Sequence, residues 1–265
     1  MQFSLSDDFL LDAQRLDPLQ MDLKQDPIIK SLNTNFLGFG SCFAQNLQRE
    51  LIPFTFPFYF NRSICAYYTT RPLKEMLEWL VADQKHTEDD LYIYDEEDVS
   101  SYRYFRIRNY GKNAKERTLD EMHRLDEELK NAIQDADIFL ITLGTAIHPV
   151  MKRNEKAICS FFGIPVEEAR CDTLTSEEIA ADLESIHSNL LTLRNQKPFQ
   201  TFITVSPQRY NWNQSITGMP PVMENNLSKS LLRVAIHNFL QNKSDKNIHY
   251  FPSFEIVIDE LRLHE

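Results

Sequence analysis

The sequence predicts an α/β fold, a sandwich in which helices pack against a mostly parallel sheet. Short apolar runs typical of buried strands alternate along the chain with segments whose apolar residues recur at helical spacing. The strand runs are continuous rather than alternating, as in parallel strands that are buried on both faces. A chain of 265 residues, 42% of them hydrophobic, can bury the core of one such domain.

The first predicted unit is a strand, a tight turn and a helix. The apolar run NFLGFG at 35–40 predicts the strand. The helix is predicted by apolar residues at helical spacing, namely Phe43, Leu47 and Leu51. Between them lies the stretch GSC at 40–42, in which Gly40 allows a sharp turn. Ser41 therefore falls at the N-terminus of the predicted helix.

A second helix and an irregular segment follow. Pro72 opens the helix at a first-turn position, where its missing N–H costs little. The apolar stripe of this helix consists of Leu73, Met76, Leu77, Leu80 and Val81. The charged and aromatic segment 86–117 then lacks a clean period, which predicts short strands or an excursion over the surface.

Three more helices and three more strands complete the predicted alternation. Two Thr-x-x-Glu capping boxes predict helix starts, at Thr118 with Glu121 and at Thr175 with Glu178. These helices lead into the apolar runs DIFLITLG at 137–144 and FQTFITV at 199–205. Asn225 or Asn226 is predicted to cap the next helix. HYFPSFEIVI at 249–258 then predicts a last strand and the start of another helix.

The predicted organisation is one domain over residues 35–265, with an N-terminal extension over 1–34 and an excursion at about 86–117. The 39 acidic residues outnumber the 28 basic ones, and a formal charge of −11 disfavours nucleic acid and anionic membranes as partners. The N-terminus carries acids where a signal peptide needs a basic start, and no apolar run is as long as a membrane span. We therefore expect a cytoplasmic protein.

The cysteines and histidines suggest neither a metal site nor a disulfide scaffold. The four cysteines are scattered, at Cys42, Cys65, Cys159 and Cys171. We interpret them as reduced thiols. No histidine clusters with acidic residues at metal-ligand spacing, so we expect no metal and no cofactor.

Three strand-end motifs are the places to look for chemistry, because ligands of open α/β sheets bind outside the carboxyl ends of the strands. They are GSC at 40–42, LGTAIHP at 143–149 and SPQRY at 206–210. In the first motif, Ser41 has two interpretations. Serine is a favoured N-cap residue. Its hydroxyl could also attack an ester carbonyl at a helix N-terminus, where the macrodipole stabilises developing negative charge.

Cys42 is the alternative nucleophile, because a thiol at a helix N-terminus has a lowered pKa. We favour Ser41, because the residue after a cap usually points into the helix packing and cysteine is often buried. A serine hydroxyl needs a base that removes its proton. His148 follows the LITLGTA strand and is a candidate base or substrate contact. His264 is a second candidate, if a terminal helix folds across the strand ends.

Four blocks of the sequence resemble the GSCFA family. They are GSCFA at 40–44, LITLGTA at 140–146, TVSPQR at 204–209 with NNLSKSLL at 225–232, and YFPSFEIVIDELR at 250–262. The blocks are in the family's order and cover the chain from about residue 35 to residue 265. The family is similar to SGNH (GDSL-like) hydrolases, which cleave or transfer O-linked acyl groups. The resemblance implies a three-layer α/β/α, flavodoxin-like sandwich.

The same resemblance implies that Ser41 is the nucleophile and that Gly144 and Thr145 lie beside it and line the oxyanion pocket. This sequence has Ala146 where SGNH enzymes place an asparagine donor. Asn61 is a possible substitute for that donor. Without it the pocket would depend on backbone N–H groups, such as those near Ser41.

The sequence departs from the family where histidines are expected. It has Ser160 and Phe161 where the family tends to have a His-Lys pair, and Tyr210 where it tends to have histidine. Members usually continue after the fourth block into a segment with an aspartate and a His-Pro pair, whereas this chain reads LRLHE at 261–265. The general base is therefore not identified.

Three polar residues near the later motifs are candidates for substrate binding. Arg209 belongs to the SPQRY motif and lies at the end of a predicted strand. An ion pair with an acidic residue of the protein is the alternative to a role as a substrate clamp. Asn226 and Lys229 match the NNLSK block and could contact an acidic or carbohydrate group, or could simply form a solvated helix start. With Gly40, Asn61, Gly144 and Thr145, they complete the predicted binding residues.

Two functions follow from the sequence. The first is a serine esterase or acyltransferase that acts on a small or carbohydrate-linked acyl ester. The second is an SGNH-like fold that has lost its acid and base and serves as a binding or interaction module. An imidazole close to the hydroxyl oxygen of Ser41 would favour the enzyme, and a serine surrounded by aromatic and amide groups would favour the module.

Overall fold

The computed structural model describes residues 33–54, 56–102, 105–209, 218–243 and 247–260. All but two residues of the predicted N-terminal extension 1–34 lie outside this part. The described strands are β1 (Phe36–Gly40), β2 (Phe58–Tyr59), β3 (Leu91–Asp95), β4 (Asp98–Ser101), β5 (Arg108–Tyr110), β6 (Ile138–Leu143), β7 (Ile147–Met151), β8 (Ala169–Thr173), β9 (Gln200–Val205) and β10 (Ile248–Tyr250). The described α-helices are α1 (Cys42–Leu51), α2 (Arg62–Cys65), α3 (Thr70–Val81), α4 (Ala114–Asp135), α5 (Ser176–Leu193), α6 (Pro221–Gln241) and α7 (Ser253–Glu255).

The centre of the molecule is a parallel sheet of five described strands in the order β10-β9-β6-β1-β2. The predicted α/β class is confirmed, because helices flank this sheet as in a three-layer α/β/α sandwich. The strand β6 is buried along its whole length, which explains its uninterrupted apolar sequence. It pairs with β1 on one side and with β9 on the other.

Two smaller antiparallel sheets lie outside the central sheet. Strands β3, β4 and β5 form one, within the segment 86–117 that was predicted as short strands or an excursion. This sheet packs against α4. Strands β7 and β8 form a two-stranded ladder. The motif LGTAIHP, predicted as a strand end, therefore continues into a new strand after Ala146.

The capping box at Thr175 and Glu178 is confirmed. The N–H of Glu178 donates to the Thr175 hydroxyl at 3.2 Å, and the N–H of Thr175 donates to the Glu178 carboxylate at 2.8 Å. The box predicted at Thr118 is wrong, because α4 begins four residues earlier, at Ala114. The hydroxyl of Thr118 instead donates to the carbonyl oxygen of Ala114 at 2.7 Å, a bond inside the first turns of the helix.

One other predicted boundary is also wrong. Asn225 and Asn226 do not cap a helix, because α6 begins at Pro221, whose fixed φ suits the first turn. The prediction for the segment 249–258 is confirmed. The segment begins in the strand β10 and continues into the short helix α7 and then a π-helix over Ile256–Glu260.

Candidate functional site

The order of the strands identifies one edge of the sheet as the place for a ligand. From β1 the chain moves to β2 on one side, and it later returns to place β6 on the other side. In doubly wound α/β folds, ligands bind outside the carboxyl ends of the two strands where the order reverses. Here those two ends lead directly into Ser41 and Gly144.

A cavity of about 440 Å³ lies at this edge and is lined by residues of all three strand-end motifs. Its volume is within the range of roughly 300–1,000 Å³ that is usual for small-molecule sites. The described residues that line it are Ser41, Cys42, Tyr68, Thr69, Arg106, Gly144, Thr145, Ile147, Pro149, Cys159, Ser160, Phe161, Phe162, Cys171, Ser206, Gln208 and Arg209. Four predicted site residues, Ser41, Gly144, Thr145 and Arg209, are therefore brought together.

The turn between β1 and α1 requires glycine at position 40. Gly40 has φ +117°, in a region that side-chain-bearing residues rarely adopt. A Cβ atom there would lie 2.0 Å from the carbonyl oxygen of Thr142. Gly40 is the register partner of Thr142 on β6, so this turn is pressed against the neighbouring strand. The next residue, Ser41, is thereby held at the end of β6.

Ser41 is both a helix cap and part of the cavity lining. Its hydroxyl oxygen accepts a hydrogen bond from the N–H of Phe43 at 3.2 Å, which confirms the capping role. The same oxygen lies 3.1 Å from the hydroxyl of Thr142. Only 5% of the residue is exposed, and the residue is part of the cavity lining.

The backbone N–H groups predicted to line an oxyanion pocket have partners within the protein. The N–H of Ser41 donates to the carbonyl oxygen of Thr142 at 3.0 Å and is 2.7 Å from its hydroxyl. The N–H groups of Gly144 and Thr145 both donate to the carbonyl oxygen of Tyr68, at 2.8 and 3.1 Å. In this arrangement none of these three N–H groups points freely to a ligand.

Lys229 and Ser228 hold the LGT turn from behind. Lys229 is 2% exposed, and its ammonium donates to the carbonyl oxygens of Gly144 at 2.6 Å and Ser206 at 2.7 Å. Burial lowers the pKa of Lys229 to about 8. The hydroxyl of Ser228 accepts the N–H of Ala146 at 2.7 Å. Lys229 therefore positions two cavity walls, and it is neither a solvated lysine nor part of the lining.

Three other predicted site residues lie away from the cavity. His148 is on β7 between Ile147 and Pro149, which line the cavity, and alternate residues of a strand point to opposite faces. Its imidazole is thus directed away from Ser41, and burial lowers the pKa of His148 to about 4. Asn61 caps α2 by accepting the N–H of Ser63 at 2.9 Å. Asn226 is exposed on α6. His264 and Tyr210 lie outside the described residues.

Arg106 is the main cavity residue that sequence reasoning missed. It is half-buried, its guanidinium is 3.3 Å from the hydroxyl of Tyr68, and its Cζ lies 5.2 Å from the centre of the Phe162 ring. It comes from the segment 86–117, in which no period or motif singled out a residue. Ser160 and Phe161, noted only as departures from the family, also line the cavity.

Two of the cavity thiols, Cys159 and Cys171, are not activated by their surroundings. Burial raises the pKa of Cys159 and of Cys171 to about 11, so both are protonated at neutral pH. All four cysteines are free thiols. In the described part of the chain, no group of three or more His, Cys, Asp or Glu residues is arranged to hold a metal ion. None of the described helices combines the length and the apolar character that crossing a membrane requires.

Comparison with known proteins gives one match. The family model of the GSCFA family matches residues 35–265. A search of curated proteins found no match, and neither did a search of solved structures. The match covers most of the chain and includes every described residue of the cavity lining. The chain therefore belongs to the GSCFA family.

Proposed function

We propose that this protein is an SGNH-like serine hydrolase, an O-acyl esterase or acyltransferase in which Ser41 is the nucleophile. The observation that carries the proposal is the position of Ser41 in the cavity at the topological switch point of the sheet, at the N-terminus of α1. At that place a helix dipole and a preformed small-molecule site coincide.

In the proposed reaction, the hydroxyl oxygen of Ser41 attacks the ester carbonyl. The bond between the carbonyl carbon and the alcohol oxygen then breaks, the alcohol leaves with a proton, and an acyl group stays on the serine. Water or a second alcohol takes that acyl group in the next step. The carbonyl oxygens of Thr142 and Tyr68 already accept hydrogen bonds from the backbone N–H groups that were predicted to bind the oxyanion. We therefore assign stabilisation of the oxyanion to the N–H of Cys42, in the first turn of α1.

The base in this proposal is a histidine that is not yet identified. No imidazole and no carboxylate lines the cavity within the part of the chain that the structure describes. We assign no acid–base role to His148, because its strand neighbours and not its own ring face the cavity. His264 remains the candidate within the sequence.

The substrate in this proposal is a small or carbohydrate-linked ester that the protein meets in the cytoplasm. Tyr68, Phe161 and Phe162 offer aromatic surface for a sugar ring or an acyl chain. The cavity volume, about 440 Å³, suits a substrate of that size.

Labelling with a fluorophosphonate tests the nucleophile. We expect intact-mass spectrometry to show one adduct on the wild-type chain, no adduct on Ser41→Ala, and an undiminished adduct on Ser160→Ala, which removes another cavity hydroxyl. Cys42→Ala controls for the thiol and should label like the wild type. Absence of an adduct on the wild type, or an adduct that persists in Ser41→Ala, would contradict the proposal.

A binding module is the second candidate function. It is favoured by the described lining, which contains no imidazole and no carboxylate, and by the hydrogen bonds that engage Ser41 as a cap. If the protein is a module, the wild type and Ser41→Ala should bind the same ligands with the same affinity. Neither should form a covalent adduct with the fluorophosphonate.

A further inference from the structure

We propose that the cavity binds a negatively charged group of its ligand, a carboxylate or a phosphate, through Arg106 and Arg209. The inference deepens the proposed function and depends on it for one point, that the ligand is an ester. It narrows the substrate class to acyl esters that also carry a separate anionic group.

The first argument is the charge of the lining. Two arginines, Arg106 and Arg209, line the cavity, and within the described residues no aspartate or glutamate lines it. This distribution is unusual for a chain in which acidic residues outnumber basic ones by 39 to 28. The overall charge repels anions, so only a local arrangement of cations can bind one.

The second argument is the lack of acidic partners. Most arginines elsewhere in the described chain are held by carboxylates, as in the pairs Arg71 with Asp182, Arg108 with Asp98, and Arg170 with Asp172. Among the described residues, no carboxylate lies within 4.0 Å of the side-chain nitrogens of Arg106 or Arg209. The structural ion pair that the sequence left open for Arg209 is thus not seen within the described chain.

The third argument is how Arg106 is held. Its own N–H donates to the carbonyl oxygen of Ser63 at 2.9 Å, and its guanidinium contacts the Tyr68 hydroxyl and the Phe162 ring. These contacts orient the side chain but leave most of its five N–H donors for a ligand. Because the residue is half-buried, an ion pair formed there is less screened than one on the open surface.

Arg209 and the start of α1 complete the arrangement. Arg209 is exposed on the loop after β9, so it reaches the cavity from the solvent side. Cys42, the first residue of α1, also lines the cavity, and a helix N-terminus favours negative charge. Two guanidinium groups can hold a carboxylate or a phosphate through paired hydrogen bonds.

The test is ligand binding by the full chain with Ser41→Ala as background, so that turnover does not interfere. Isothermal titration calorimetry would compare monomethyl succinate, which has an ester and a carboxylate, with its neutral dimethyl ester, and would add methyl phosphate. We expect at least one of the two anions to bind about tenfold more tightly than the neutral ester, as charge-assisted hydrogen bonds predict. The anion that binds more tightly shows whether the charged group of the ligand is a carboxylate or a phosphate.

Variants then assign the binding to the two arginines. Arg106→Gln and Arg209→Gln should each weaken binding of the anion about tenfold and leave the neutral ester unchanged. Arg49→Gln is the matched control, because Arg49 is exposed on α1, pairs with Glu50 and does not line the cavity. Arg209 is exposed, so its variant should fold. Arg106→Lys, which keeps the charge without the planar fork, should give an intermediate loss.

Equal affinity for the charged and neutral ligands would overturn the proposal, as would anion binding that neither glutamine variant weakens. These outcomes are independent of the fluorophosphonate experiment. Anion binding without labelling of Ser41 would refute the esterase and keep the anion site. Labelling of Ser41 without anion binding would refute the anion site and keep the esterase.

Discussion

The N–H of Ser41 donates a hydrogen bond to the carbonyl oxygen of Thr142 at 3.0 Å, and this bond joins the turn after β1 to the end of β6. One residue past the end of β6 is Gly144, whose carbonyl oxygen is held by Lys229. The serine and the LGT turn therefore meet at the same edge of the sheet. The proposed chemistry depends on that arrangement.

Gly40→Ala should disrupt the turn that presents Ser41. The new Cβ would lie 2.0 Å from the carbonyl oxygen of Thr142, and φ is +117°. We expect the free energy of unfolding to fall by more than about 3 kcal/mol, because steric overlap adds to backbone strain. Chemical denaturation would measure it. Gly111→Ala is the control, since φ is +81° there with no atom within 4 Å, and it should lose only about 1 kcal/mol. Similar losses in the two variants would argue against the close contact.

Ser41→Ala should remove a cap as well as the proposed nucleophile. The Phe43 N–H would lose its side-chain acceptor, and we expect a loss of about 1 kcal/mol in the free energy of unfolding. Equilibrium urea denaturation of the wild type and of Ser41→Ala would show the difference. An unchanged stability would mean that the serine does not cap α1 in solution. A loss of this size leaves the chain folded. Missing labelling of Ser41→Ala would therefore reflect the missing hydroxyl and not unfolding.

Lys229→Met should loosen the cavity walls. Two buried carbonyl oxygens, on Gly144 and Ser206, would lose their donor, and we expect a loss of about 2 kcal/mol in the free energy of unfolding. Lys243→Met is the control, because Lys243 pairs with Glu184 near the surface, and it should change stability by less than about 0.5 kcal/mol. Equal stability of Lys229→Met and wild type would mean that the hydrogen bonds of Lys229 to Gly144 and Ser206 do not stabilise the fold.

The same lysine predicts a pH dependence. Its pKa is lowered by burial from 10.5 to about 8, so the folded state releases a proton that the unfolded state keeps. The part of its contribution that depends on pH adds to that of its two hydrogen bonds; this part is fully present above pH 10.5 and is lost as pH falls through about 8. The stability of wild type relative to Lys229→Met should therefore rise between about pH 8 and pH 10, measured by urea denaturation at each pH. A difference that stays flat would contradict the assignment.

His86 predicts the opposite trend at lower pH. Burial alone would lower its pKa, but Asp126 at 3.0 Å and Asp90 at 3.7 Å outweigh it and hold the pKa above 6.5. The contribution of His86 to stability is therefore complete below pH 6.5 and is lost as pH rises through the folded pKa. The stability difference between wild type and His86→Gln should shrink from about pH 6 to pH 9. Urea denaturation at each pH would measure this difference, and a difference that stays constant would contradict the assignment.

The sequence predicted the elements whose signals are local. Continuous apolar runs identified β1, β6 and β9, and the Thr175 box identified the start of α5 because both of its bonds lie within four residues. Thr118 and Glu121 have the same Thr-x-x-Glu pattern but do not start a helix, because α4 has already begun at Ala114. Spacing alone cannot show whether a threonine lies before or inside a helix.

The cavity was predictable only in part, for the same reason. Ser41, Gly144 and Arg209 follow strand ends, so a rule about parallel sheets was enough to bring them together. Arg106 is brought to the cavity by contacts between residues that are distant in the sequence. It lies in a segment without a clear period, so no local pattern predicts its position. The orientation of His148 depended on an unpredicted strand, β7, whose alternation directs the neighbouring side chains into the cavity.

The most direct test of the central claim is to trap the acyl intermediate. The wild-type chain would be mixed with a slowly deacylating p-nitrophenyl ester, quenched in acid, digested and mapped by tandem mass spectrometry. We predict an acyl group on the side-chain oxygen of Ser41, with one equivalent of p-nitrophenol released in a burst. An acyl group on Cys42 or on another residue, or turnover of the ester with Ser41 unmodified and fully active Ser41→Ala, would contradict the account.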